Sequence, residues 1–207
     1  MPSRKERERE FHRRFIMERA VSLFAQHGFE ATTMDMIAEA SEVSKGTVYN
    51  YFSNKQELFR TLIEWGSGRA REIGMETLSL PDTSRVERLG MFIQLFLEFF
   101  ETGRDIHKIL VQEGDRAAVS MKDTFGGPLR ENYMQLIGFI SEFITEGQNE
   151  GVFREMNPHK AAFFVLDIIT AEFRYSVMTD SSDPLTDSTE ETTRLILELL
   201  GAQEVTR

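Results

Sequence analysis

Apolar residues recur at helical spacing along almost the whole chain, and strand-like alternation is weak. The pattern predicts an all-α protein of about nine helices with no sheet. A first helix is expected from Arg7 to His27, with Phe11, Phe15, Ile16, Ala20, Leu23 and Phe24 on one face. Gly28 stands where a left-handed residue closing that helix is wanted, and apolar Phe29 follows it. Thr32-Thr33 opens a second helix with Met34, Ile37 and Ala38 inward; Thr32 with Asp35, or Thr33 alone, supplies its cap. Ser44 caps a very short third helix, Lys45 to Tyr51, whose inner face is Val48 with Tyr51 or Phe52. The fourth helix begins at Ser53 or Asn54, since Ser53/Gln56 and Asn54/Glu57 both have capping-box spacing. It runs past Trp65 to around Met75.

SLPDTS (79–84) breaks the chain, and Val86–Phe100 is apolar on nearly all sides, the mark of a buried helix. TGRD (102–105) bends the chain into a short helix, Ile106–Val111, followed by a less regular stretch ending in FGGP (125–128). Leu129–Thr145 is amphipathic, and GQNEGVF turns. Asn157-Pro158 is an N-cap with proline at the first helical position, and Ala161–Met178 forms a long apolar helix behind it. After a polar loop, Ser188 with Glu191 caps a last helix carrying Leu195, Ile196, Leu199 and Leu200. The chain has no internal repeat.

Charge changes the picture. The net charge of −10 argues against a nucleic-acid partner until its distribution is read. Residues 1–60 hold 10 basic and 9 acidic side chains, whereas 61–207 hold 14 and 25, so an acidic body carries a near-neutral head. Residues 1–20 alone hold 7 basic against 4 acidic, a basic tip. The charged N-terminus has no apolar core of a signal peptide. The most apolar stretch, 91–100, is half a membrane span and carries Gln94 and Glu98. A soluble cytoplasmic protein with no membrane partner is expected. No cysteine is present, which removes disulfides, thiolate metal sites and thiol nucleophiles. His12, His27, His107 and His159 are scattered, and no phosphate-binding loop, nucleophile elbow or zinc-hydrolase motif occurs. Glu113 and Asp115 near His107 make a poor case for a metal. Neither an enzyme nor a cofactor is expected.

Residues 43–56, VSKGTVYNYFSNKQ, hold no acid. Two short helices joined by a four-residue turn, Ser41–Ser44, make a helix-turn-helix unit, whose second helix enters the major groove. Lys45 and Thr47 face outward at the start of that helix, and Tyr49 and Asn50 follow on the same side. Gly46 removes side-chain bulk where backbone meets sugar-phosphate. Thr33 and Ser44 sit at helix starts, where a hydroxyl and open N–H groups suit an anionic oxygen. Lys55 opens the next helix and reaches toward a second phosphate. Singly, each is also an ordinary cap or solvated side chain; the cluster points to DNA.

GFEATTMDMIAEASEVSKGTVYNYFSNKQELF resembles the N-terminal domain of the tetracycline-repressor (TetR) family of bacterial transcription regulators. The matching elements are Gly28-Phe29, Thr32-Thr33, Ile37-Ala38, Val43 through Thr47, Tyr49, Phe52, Lys55 and Leu58. The resemblance implies a DNA-binding domain over 1–60 and a ligand-binding, dimerisation domain over 61–207. It implies phosphate contacts at Thr33, Ser44, Tyr49 and Lys55, base or mixed contacts at Lys45, Gly46, Thr47 and Asn50, and a backbone contact at Tyr51. The implied partners are a palindromic double-stranded operator, a second copy of the chain and a small ligand that releases the repressor. One departure stands out: the family usually has Ala-Gly where this chain has Ser41-Glu42, and a left-handed Glu42 would cost about 1 kcal/mol relative to glycine. The basic tip is either a minor-groove arm or a solvated helix end with internal ion pairs.

By the same resemblance, helices 158–178 and 188–200 pair with their copies as a four-helix bundle, and both carry more apolar surface than one face hides. The chain has 17 Phe, many of them in the central helices, which suits a cavity for a largely apolar ligand as well as plain packing. Candidate lining residues are Phe92, Phe96, Phe99, His107, Met121, Phe125, Tyr133 and Phe163, with Gln94, Gln112 and Arg174 as further polar candidates. The alternative function is an all-helical small-molecule carrier or interaction module whose helix-turn-helix is vestigial; the intact donor cluster argues for the regulator.

Overall fold

Two compact units divide the chain: residues 1–65 with 104–127, and residues 66–103 with 128–207. The computed structural model describes residues 3–108 and 126–202, side chains of 126–129 excepted. Within these residues the secondary structure is helical, without a strand. The elements are α1 (Arg4–Ala31), α2 (Met34–Ala40), α3 (Lys45–Tyr51), α4 (Lys55–Leu78), α5 (Arg85–Thr102), α6 (Gly126–Asn149), α7 (Pro158–Met178), a 3₁₀ turn (Leu185–Ser188) and α8 (Thr189–Leu200). A further helical stretch begins at 104 and leads out of the described residues.

Local chemistry sets most boundaries. Ser3 and Glu6 form a capping box that starts α1 a turn earlier than the periodicity suggests. Near its other end Gly28 takes φ 79° and ψ 163°, not the left-handed helical conformation expected. This extended, positive-φ geometry is open to glycine. It turns the chain so that Phe29 enters the core. Ser84 with Glu87 forms a second capping box at α5. Asn157 caps α7 through Lys160 N–H with Pro158 at the first position, as the sequence predicts. Ser188 differs: its side chain caps nothing, because the 3₁₀ turn that it closes feeds directly into α8.

The first unit packs Ile16, Ala20 and Phe24 of α1 against Ile37 and Ala38 of α2, Val48 and Phe52 of the α3 end, and Leu58 and Phe59 of α4, all buried. Phe24, Phe29 and Phe59 form a ring cluster with centroids 4.9–5.5 Å apart. Each such fully buried side chain contributes about 1.5–3 kcal/mol. Phe11 does not join them; it is 69% exposed, because α1 runs out past the elements that could cover it.

In the second unit α5 buries Leu89, Phe92, Ile93, Phe96, Leu97 and Phe100 on one face while Met91 stays exposed, so the helix is one-sided and not covered all round. Leu136, Ile140 and Phe143 of α6, Val165, Ile169 and Phe173 of α7, and Ile196 and Leu200 of α8 complete the core. A buried arginine ties α5 to α6: Arg85 grips Glu150 with two bonds, Nε–Oε2 2.5 Å and Nη2–Oε1 2.6 Å, and reaches Glu146 at 3.1 Å. The paired Arg85 guanidinium holds the Glu150 carboxyl below the usual carboxylate range.

Candidate nucleic-acid interface

The short α2 is finished by a backbone lock. Glu42 N–H donates to Glu39 O at 3.0 Å and Val43 N–H to Ala38 O at 3.1 Å, the two bonds of a Schellman turn. That turn needs a positive φ at its hinge, and Glu42 supplies it with φ 54°. The departure from the family's glycine leaves the turn intact and puts a strained acidic residue in it.

Thr32 and Thr33 divide two tasks. Thr32 is buried, and its hydroxyl donates to Gly28 O at 2.8 Å and Leu23 O at 3.2 Å, so it fastens the end of α1 and does not box with Asp35. Thr33 is exposed and caps α2 by accepting from Met36 N–H at 3.2 Å. Ser44 caps α3 by accepting from Thr47 N–H at 3.1 Å, and the Ser44 and Thr47 hydroxyls share a bond of 2.8 Å. Val48 and Phe52 hold α3 down, so Phe52, not Tyr51, is the inward ring. This leaves Lys45, Gly46, Tyr49 and Asn50 exposed, with Thr47 and Tyr51 half-buried beside them.

Gly46 is unexplained by the fold itself. Its φ is not positive, and among the described residues a Cβ there would meet only Ser44 Oγ, at 3.7 Å, an ordinary contact. Two cations behave in ways that no local spacing announces. The Lys45 ammonium pairs with the Asp35 carboxylate of α2, both side chains more than half exposed. The Lys55 ammonium donates to Phe29 O at 2.5 Å and Glu30 O at 2.9 Å and sits 4.5 Å from the centre of the Phe29 ring. Two of its three donors therefore close the end of α1, leaving one for a phosphate. At the start of α4 half of the expected Asn54/Glu57 box forms: Asn54 Oδ1 accepts from Glu57 N–H at 2.8 Å, while the Glu57 carboxylate returns to Ser53 instead of the Asn54 N–H. Glu57 in turn accepts from the Ser53 hydroxyl and N–H, which hold its carboxyl below the usual range. The basic tip is continuous helix with internal pairs, Arg4–Glu8, Arg13–Glu10 and Arg14–Glu18.

The described candidate ligand residues of the second unit make two sets of ring contacts. Phe92, Phe96 and Phe99 lie in a chain of rings along α5 with neighbouring centroids 5.3–5.7 Å apart, continued by Phe100 stacked on Phe173. Tyr133 and Phe163 touch at 5.8 Å between α6 and α7. Burial, then the Asp167 charge, raise the Tyr133 phenol above its ordinary value. His107 is buried but belongs to the first unit. Met121, Phe125, Gln112, Glu113 and Asp115 lie outside the described residues. Gln94 and Arg174 are exposed, Gln94 bonding Glu98 at 3.0 Å. Among the described residues no group of side chains is arranged to hold a metal, and no helix is long and apolar enough to cross a membrane.

Residues 16–62, which carry this geometry, match the profile of bacterial regulatory proteins of the tetR family. An uncharacterized helix-turn-helix transcriptional regulator of Bacillus subtilis, YhgD, is 31% identical over 163 residues, 77% of this chain and 81% of its own. In fold the chain is similar to the fatty acid degradation regulator FadR of Bacillus halodurans (TM-score 0.80, 22% identity, 93% of this chain and 97% of that one). It is also similar to FadR of Bacillus subtilis, solved in complex with stearoyl-CoA (TM-score 0.76, 20% identity, 88% and 96% covered). These likenesses join the short α3, its caps and its outward donors in one conclusion: the chain belongs to the tetR family of bacterial regulatory proteins, transcriptional regulators that bind DNA operators.

Proposed function

We propose that the chain is a homodimeric repressor that lays α3 of each copy in the major groove of a palindromic operator and is released by a largely apolar small molecule. Gly46 carries the reading. A glycine in a helix costs up to about 0.5–1 kcal/mol relative to alanine, and Gly46 stands in the first turn of α3. Among the described residues nothing but Ser44 Oγ, at 3.7 Å, comes within 4 Å of the space it leaves. The remaining use is close approach of another molecule's backbone. Around it, Lys45, Thr47 and Asn50 are the base-reading candidates, and Thr33, Ser44, Tyr49 and Tyr51 the backbone contacts, with Lys55 a minor phosphate contact through its remaining donor. Residues 1–60 are the DNA-binding domain and 61–207 the ligand-binding and dimerisation domain. The dimer is supported by large apolar side chains left exposed on α7 and α8: Phe164, Tyr175, Met178 and Leu195. The apolar part of the ligand is supported by the ring cluster on α5 and by the stearoyl chain of the stearoyl-CoA bound in the B. subtilis FadR structure.

The test is operator binding by wild-type protein and Gly46→Ala, on duplex from upstream of the chain's own coding region. The alanine protein should melt about 1–3 °C higher. It should bind the duplex about tenfold more weakly, since a methyl group is forced into the contact. Unchanged affinity overturns the docking. Long-chain acyl-CoA titrated into the wild-type complex should release DNA, and DNA should weaken the acyl-CoA by the same factor.

A further inference from the structure

The contact between Lys45 and Asp35 joins the first residue of α3 to the second residue of α2. Its two side chains are 65% and 55% exposed, so solvent screens the pair and it adds little to stability. The two helices are already held by Ile37, Ala38 and Val48. The pair matters for another reason. Lys45 and Lys55 are the two cations between Val43 and Gln56, and Lys55 is committed to the carbonyls that end α1. Lys45 is therefore the cation that the exposed face of α3 brings to a duplex, and it arrives with a carboxylate attached.

A lone lysine is attracted by every phosphate equally and carries no sequence information. A lysine bound to a carboxylate has lost most of that long-range attraction. To bind a phosphate it must leave Asp35, or carry Asp35 toward the negative backbone, and both are unfavourable. A base edge with two directed acceptors, such as guanine O6 and N7, is a better replacement for a carboxylate than a passing phosphate. We propose that Asp35 is a positioning residue that sets specificity: it restrains the Lys45 ammonium and lowers binding to non-cognate duplex more than binding to the operator. This rests on the DNA-binding reading above.

The test uses the full chain as wild type, Asp35→Asn, Asp35→Glu, Lys45→Ala and the Asp35→Asn/Lys45→Ala double variant. Each is titrated with a duplex that the wild-type protein selects from a random pool, and with a scrambled duplex of equal length, at several salt concentrations. Asp35→Asn should tighten binding to the scrambled duplex about two- to fivefold. It should steepen the salt dependence there by up to about 1 unit of slope. Operator binding should change less, so the specificity ratio falls. Asp35→Glu should keep the wild-type ratio. In the Lys45→Ala background Asp35→Asn should leave the ratio where it was. The proposal is overturned by an unchanged ratio in Asp35→Asn, by equal tightening on both duplexes, or by the same fall when Lys45 is already gone. A wild-type protein that selects no sequence at all overturns the DNA-binding reading, and this proposal with it.

Discussion

Replacing Glu42 by glycine should stabilise the helix-turn-helix unit, although it deletes a side chain and adds none. The residue sits at φ 54° in a turn whose two bonds, to Glu39 O and Ala38 O, come from the backbone and survive any substitution. Its side chain is exposed, so no burial is lost. An L-residue in the left-handed region costs about 1–2 kcal/mol. Glycine removes that cost and gives back about 0.4–1 kcal/mol through its freer unfolded chain. The net gain is about 0.5–1 kcal/mol, which for a chain of this size raises the melting temperature by about 1–4 °C. Glu42→Ala is the control, since it loses the same charge and keeps the same strain; it should lie within about 0.5 kcal/mol of wild type. Glu42→Asn should fall between alanine and glycine, because asparagine tolerates the left-handed region. Urea unfolding followed by circular dichroism ranks the four proteins. A glycine variant no more stable than the alanine one would refute the argument from strain.

Lys55→Met keeps the aliphatic stem and removes the ammonium from the Phe29 and Glu30 carbonyls. It should destabilise the chain by about 1–3 kcal/mol in urea unfolding, with the slope of log affinity against log salt falling by well under the 1 unit of a free phosphate contact. A full unit with unchanged stability would instead make Lys55 a phosphate ligand. The Arg85–Glu150 pair should give an acid-sensitive increment. The folded Glu150 carboxyl lies below its ordinary value, so its contribution is present above the unfolded carboxylate pKa of about 4.3 and is lost as pH falls through the folded value. With Glu150 half exposed, Glu150→Gln should cost about 1 kcal/mol at pH 7. The difference from wild type should shrink steadily in urea titrations at pH 5, 4 and 3. A difference independent of pH would assign the loss to packing.

What the sequence determined by itself is what short-range physics decides. Caps such as Ser44 and Asn157 join residues three apart, and helical periodicity repeats within two turns, so α3, α5 and α7 could be placed to within a few residues. The tertiary structure decided where the long and bifunctional side chains went. Lys55 meets carbonyls 25 and 26 residues earlier in the chain, and Lys45 meets a carboxylate 10 residues earlier. Arg85 closes on an acid 65 residues later. Thr32 turned from a cap into a buried fastener, and Phe11 stayed in solvent. A flexible side chain has many reachable partners, and the one it takes depends on which acceptor another element delivers. Spacing along the chain carries no record of that delivery, so the donor cluster could be read in sequence, and the carboxylate that restrains its lysine could not.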